Sequence, residues 1–201
     1  KLEVIQRQRK TRRSSRNRRG VIKISLVGYT NAGKSSLFNR LTKAKAFSAD
    51  KLFATLDTTT RKLAYVNQTE FVLSDTVGFV RDLPHSLVEA FKATLEETAD
   101  SDFLFHVVDA SSQSREFEME QVQAVLKEIG ADNVPQITIF NKIDLTDLKS
   151  GIDRSPCGNI NQVRLSAITG EGVEGLRDIF CEILLFLQPK DIAEKTPSVV
   201  D

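Results

Sequence analysis

The chain has 201 residues, with 28 Lys+Arg against 27 Asp+Glu, a formal net charge of +1, and 40% apolar residues. That length and apolar content support one domain with a sizeable core plus an appendage, and exclude a wholly disordered chain. No stretch approaches the ~20 apolar residues of a membrane-crossing helix, and Cys157 and Cys181 lack metal or CxxC spacing, which fits a reducing cytosol.

The charge is unevenly spread. Residues 1–20 carry nine Lys/Arg and one acidic residue, and the remainder carries 19 basic and 26 acidic residues. Four readings of this basic arm compete. An Arg- and Ser-rich, acid-poor transit peptide fits the composition. A solvated linker needs nothing more. A membrane-surface segment needs an apolar face, which is missing after Ile5. An RNA-contacting arm sets Lys and Arg against phosphates. The apolar run Val21 to Val27 then predicts a strand that leads into Gly28-Tyr29-Thr30-Asn31-Ala32-Gly33-Lys34-Ser35, which reads GxxxxGKS. A helical pattern, Ser36-Leu37-Phe38-Asn39-Arg40-Leu41, leads out. Strand, glycine turn and helix N-terminus together form a phosphate cradle of converging N–H groups and helix dipole. Lys34 adds a full positive charge near the β- and γ-phosphates, and the Ser35 hydroxyl can ligate magnesium.

Thr55-Leu56-Asp57-Thr58-Thr59-Thr60-Arg61 predicts a polar loop. A threonine here can complete a magnesium shell in the triphosphate state, Thr60 as first choice and Thr59 as second. Arg61 to Val66 and Glu70 to Ser74, joined by Asn67-Gln68-Thr69, read as a hairpin. Asp75-Thr76-Val77-Gly78-Phe79 follows. An aspartate at a strand end can hold magnesium through water. A glycine N–H can reach the γ-phosphate and move when that phosphate leaves. His85 reads as a turn residue before a helix beginning at Leu87, with action in a partner-bound state as the alternative. His106, inside Phe103 to Val108, reads as a packed core histidine.

Glu118, Val122, Val125, Leu126 and Ile129 recur at helical spacing. The strand-like Ile137 to Phe140 ends in Asn141-Lys142-Ile143-Asp144 (NKID). The Asp144 carboxylate accepts hydrogen bonds only. Guanine offers it two adjacent donors, N1–H and the 2-amino group, and adenine offers neither. Asn141 can tie this loop to the phosphate loop or touch the base, and the Lys142 stem can cover the ring face. Ser166-Ala167 follows the next strand, Gln162 to Leu165, where a backbone N–H can meet guanine O6. Val173, Leu176, Phe180, Ile183, Leu184 and Leu187 form a last helical stripe. The alternation predicts an α/β fold: a mostly parallel six-stranded sheet, one antiparallel edge strand, helices on both faces. Residues 1–20 are then the arm, 21–188 the nucleotide domain and 189–201 a tail.

The ordered set GxxxxGKS, TTR, DTVG, NKID and SA resembles the translation-factor-related P-loop GTPases, which have a Ras-like fold. The strings GYTNAGKS, LFATLDTTTRKL, DTVGFVRDLPHSLVEAFKATLEE and HVVDAS are similar to HflX-type GTPases in particular, over about residues 1 to 187. Thr58 departs from the proline usual in that family's LDPTTR segment. The resemblance implies GTP hydrolysis to GDP and phosphate, with Lys34, Thr60 and Gly78 serving catalysis. It implies nucleotide contacts from Gly28 through Ser36 and from Asn141, Lys142, Asp144, Ser166 and Ala167. Magnesium would be held at Ser35, Thr60 and Asp75. In Ras-like enzymes a glutamine follows the glycine of DxxG and orients water; Phe79 cannot, so slow intrinsic hydrolysis is expected. In related GTPases an asparagine at the Asn31 position ligates K+, which would supply positive charge. The resemblance further implies binding to the large ribosomal subunit and its RNA, and ribosome splitting or rescue. A cytoplasmic monomer without membrane insertion is expected. HflX-type proteins carry an additional N-terminal domain joined through a basic connection. The arm is therefore expected to be a linker with RNA contact, and the chain a fragment. A nucleotide-gated switch with negligible hydrolysis, or a GTPase acting on non-ribosomal RNA, are the alternatives.

Overall fold

The apolar run at Val21–Val27 forms strand β1, and its alternation sends side chains to two different cores. Ile22, Ile24 and Leu26 enter one cluster, and Val27 enters another on the opposite face. The computed structural model describes residues 21–42, 59–66, 69–76, 78–79 and 97–187. The elements after β1 are α1 (Lys34–Thr42), β2 (Thr59–Val66), β3 (Thr69–Asp75), β4 (Phe103–Asp109) and α2 (Arg115–Glu128). They continue with β5 (Gln136–Asn141), a 3-10 turn (Ile143–Leu145), β6 (Gly151–Arg154), β7 (Ile160–Arg164) and α3 (Val173–Leu187).

The strands form one sheet in the order β2-β3-β1-β4-β5-β7-β6. The five inner strands run parallel, so β1, β3, β4 and β5 deliver their C-terminal ends to one edge. Val27 lies beside His106, and Asp109 beside Asn141. Leu37, Phe38 and Leu41 of α1 join the larger core with Leu176, Ile179, Phe180 and Ile183 of α3. Phe180 sits 5.3 Å from Phe71 and 6.3 Å from Phe105, ring centre to ring centre. Val122 and Leu126 of α2 cover the other face, with Leu104. β4 is apolar save for His106 and its last residue, Asp109, and both its faces are buried.

Two expectations need correction. The sheet has seven strands rather than six, and both edge pairs are antiparallel. The unexpected strand, β6, has the sequence Gly-Ile-Asp-Arg, with one apolar residue to signal it. It is held by its ladder to β7 and by the Arg164–Asp153 ion pair. Thr59 and Thr60 look like loop residues in the sequence but begin β2, because threonines continue the ladder well opposite Asp75 and Ser74. The arm (1–20), Thr55–Thr58, His85 with the helix expected after it, and the tail (189–201) lie outside the described residues.

Candidate nucleotide-binding site

At the C-terminal end of β1 the chain turns through positive φ at Gly28 (153°), Asn31 (60°) and Gly33 (90°) before α1 starts at Lys34. Two of these glycines are required by close approach. A Cβ on Gly28 would lie 2.2 Å from the Val107 carbonyl oxygen, and one on Gly33 would lie 2.2 Å from Asn141 Nδ2. The turn thus lies tightly against β4 and the β5 end, leaving the α1 N-terminus as an anion cradle. Lys34 is buried, and its Nζ donates to the carbonyl oxygens of Gly28 (3.0 Å) and Tyr29 (2.9 Å). Burial, opposed by the nearby Asp75 charge, pushes the ammonium down to about 8. Asn31 is exposed at the outer rim, Ala32 is buried, and Tyr29, Thr30, Ser35 and Ser36 are half-buried.

The end of β3 faces this loop. Asp75 is buried, and Thr76 Oγ1 donates to the Leu26 carbonyl at 2.5 Å. A Cβ on Gly78 would lie 2.9 Å from both Lys34 Nζ and Thr30 Cγ2, so this backbone touches the cradle. Phe79 makes a parallel bridge with Tyr29. Its N–H donates to Gly28 O (3.1 Å), and its carbonyl accepts from Thr30 N (2.7 Å). The Phe79 ring is 2% exposed and packs with Val27, Leu104 and Leu126. It faces the core, away from the cradle.

The residues present suit magnesium. Ser35 offers a hydroxyl beside Lys34, and Asp75 offers a carboxylate whose charge acts on the Lys34 ammonium. Among the described residues no group of three or more His, Cys, Asp or Glu could hold a metal by itself. A few hard oxygen donors without a full cage match a small cation that keeps waters and shares phosphate oxygens. Thr60 is not brought beside Asp75. Its Oγ1 shares a hydrogen bond with Ser74 Oγ (2.9 Å), and Ser74 points to the face opposite Asp75. Thr59, directly opposite Asp75 in the ladder, shares its face.

The base-reading loops are joined by Asn141. Its buried carboxamide donates through Nδ2 to Ala32 O and accepts at Oδ1 from Ala167 N, both at 2.9 Å. The alternative left open by the sequence resolves to a tie between loops. Of the two backbone N–H groups offered for guanine O6, that of Ala167 donates to Asn141 Oδ1 here and that of Ser166 donates to Glu171 O (2.9 Å). Ser166 Oγ accepts from Thr169 N at 3.1 Å. Lys142 has φ 65° and reaches Asp109 with its ammonium, 2.7 Å from Oδ2. Asp144, in the 3-10 turn, is exposed and available to a ligand edge.

His106 is buried as expected of a core histidine, with Gln123 Nε2 3.5 Å from its Nδ1. Burial first, then the Lys34 charge, push its pKa down to about 4. Two residues escaped assignment from the sequence. Asp109 was legible only as the polar end of an apolar strand. Arg40 reaches from α1 to the loop after β7, donating through Nε to Ala167 O (2.9 Å) and through a terminal nitrogen to Ile168 O.

Among the described residues no helix is long and apolar enough to cross a membrane. Over 185 residues the chain is 49% identical to the GTPase HflX of Escherichia coli, an alignment covering 92% of this chain and 43% of that protein. The chain thus spans less than half the length of this curated relative. It is similar to a GTP-binding protein from the archaeon Sulfolobus solfataricus, solved in complex with GDP, with a TM-score of 0.59 and 29% identity over 83% of this chain and 53% of that one. Aquifex aeolicus Era bound to GDP.AlF4- has the same fold, with a TM-score of 0.63 and 24% identity over 82% and 57% of the two chains. Residues 23–142 match the family described as 50S ribosome-binding GTPase. The chain belongs to the 50S ribosome-binding GTPase family.

Proposed function

We propose that this chain binds GTP with Mg2+, hydrolyses it to GDP and phosphate, and works in the cytoplasm with the large ribosomal subunit, as an HflX-type protein acting in ribosome splitting or rescue. The observation that carries the nucleotide reading is Asn141. It fastens the GKS loop to both the NKID and SA loops, assembling the parts that recognise phosphate and base at one sheet edge.

Gly28 through Ser36 wrap the phosphates, with loop amides and Lys34 offsetting charge that develops as the γ-phosphoryl transfers. Asp144 accepts from the guanine N1–H and 2-amino group, while Asn141, Ser166 and Ala167 shape the base pocket and the Lys142 stem covers it. Ser35 would hold magnesium directly and Asp75 through water, with Thr60, or Thr59 as second choice, as the residue that would supply a further oxygen in the triphosphate state. Thr60 remains the assigned residue on sequence order; Thr59 has the better starting face. Bound magnesium supplies positive charge to the β- and γ-phosphate oxygens. Gly78 donates its N–H to the γ-phosphate. Water attacks the γ-phosphorus and the bond to the β–γ bridging oxygen breaks, so GDP leaves with that oxygen.

Hydrolysis by the chain alone is slow, because Phe79 is both apolar and turned into the core. The missing help comes from the ribosomal partner or from K+ at Asn31. The buried Phe79 also favours a second reading, a nucleotide-gated switch with negligible hydrolysis. Phosphate release from Mg-GTP, in potassium and in sodium buffers, with and without large subunits, separates the two. Stimulation by subunits supports the enzyme; tight GTP binding without turnover under all four conditions supports the switch. Absence of guanine-nucleotide binding refutes both.

A further inference from the structure

We infer that Asp109 is a positioning residue for the nucleotide, its carboxylate pinning Lys142 so that the lysine's aliphatic stem forms a fixed wall beside the phosphate loop. The inference rests on the nucleotide reading above and adds a residue to it.

Three observations meet at this point. The Lys142 ammonium lies 2.7 Å from Asp109 Oδ2, with each side chain 17% exposed. The other carboxylate oxygen is itself held, because Oδ1 accepts from Ser111 N (2.9 Å) and from Ser111 Oγ (2.6 Å). Between its two ends the lysine crosses Gly33, with Cε 4.0 Å from where a Gly33 Cβ would stand. Lys142 therefore leaves β5 in a left-handed conformation, runs across the cradle's last glycine and ends on β4.

The backbone fixes both ends of this strap. Asp109 and Asn141 are register partners, and Ala110 N donates to Asn141 O at 2.8 Å. Burial works to raise the Asp109 pKa, but hydrogen bonds from Lys142 and Ser111 outweigh it and hold the carboxyl below its usual range. The group is thus charged at neutral pH. A long lysine loses much rotamer freedom when it is held against a ligand. Asp109 imposes that loss before the ligand arrives, so binding meets a preorganised wall. Without it the stem loses its fixed place and the ligand itself must order it.

The test measures release of a fluorescent GDP from the whole chain carrying Asp109→Asn, Asp109→Glu, Lys142→Met, or Asp109→Asn with Lys142→Met. Asparagine keeps an oxygen for Ser111 and removes the charge that holds the lysine. Loss of a charge-assisted contact predicts about tenfold faster release for Asp109→Asn. Lys142→Met should match it, the double variant should release no faster than the worse single, and Asp109→Glu should recover part of the loss. The thermal midpoint of each nucleotide-free variant is read alongside. Wild-type release by Asp109→Asn, or losses that multiply in the double variant, overturns the inference. If Asp109→Asn does not fold, Ser111→Ala decides: roughly threefold faster release supports the anchoring, and an unchanged rate overturns it. A wild-type chain that retains no GDP instead refutes the nucleotide reading.

Discussion

Replacing Asn141 by alanine removes one carboxamide and leaves two backbone groups without partners. Ala32 O loses its donor and Ala167 N its acceptor, each from a 2.9 Å bond. Both residues are buried, 1% and 4% exposed. An unpaired buried backbone group costs about 1–3 kcal/mol, so the pair sums to about 2–6 kcal/mol. A water entering the vacated space restores one partner, which leaves about 1–3 kcal/mol and places the expected loss near ~2 kcal/mol. Against a typical stability of ~5–15 kcal/mol that is a large fraction. Urea unfolding of the nucleotide-free chain measures it as a shift in midpoint with unchanged slope. Asn141→Asp serves as the partner experiment. It keeps the acceptor for Ala167 N but sets a second oxygen against Ala32 O, so at neutral pH it should be no more stable than the alanine variant. If Asn141→Ala unfolds within about 0.5 kcal/mol of wild type, the tie between the three loops is not what holds them, and the reasoning fails.

Phe79→Gln should not turn the chain into a fast hydrolase; burying an amide where a ring packed should destabilise it by about 3 kcal/mol or more, read from a melting curve beside phosphate release. Gly78→Ala sets a Cβ against Lys34 Nζ and Thr30; turnover should fall by at least about tenfold, and GDP affinity should fall as well because both crowded residues belong to the phosphate loop. His106 is held neutral in the fold, near 4 against 6.5 unfolded, so the unfolded chain binds the extra proton first. Stability should therefore fall as pH drops from about 6.5 through 4, by a total of about 3 kcal/mol, and His106→Leu should remove that component from a urea series across this range.

The parts that were legible in the sequence share a cause. Apolar runs such as Val21 to Val27 and Ile137 to Phe140 mark strands by themselves, and motifs at their ends inherit a common edge once the sheet is parallel. What the sequence withheld depends on distant partners. Thr59 and Thr60 look like loop residues until Asp75 and Ser74 stand opposite them. β6 has one apolar residue and is defined by β7. Phe79 is evidently no water-orienting group from its chemistry, but its direction follows from a single bridge to Tyr29 that no local pattern encodes. Asn141 offered two roles, and choosing between them needed the positions of Ala32 and Ala167. Asp109 and Lys142 are 33 positions apart and meet because β4 and β5 lie in register.

Burial of the Lys34 ammonium gives the domain a weak proton store. With its pKa near 8, mildly alkaline solution strips it to the neutral amine. A phosphate arriving alongside favours the charged form and calls the proton back. Ligand capture in mildly alkaline solution is then accompanied by proton uptake, so its calorimetric heat varies with the buffer's ionisation enthalpy. With Lys34 serving phosphate as proposed, occupancy of the site is tied to the acidity of its surroundings.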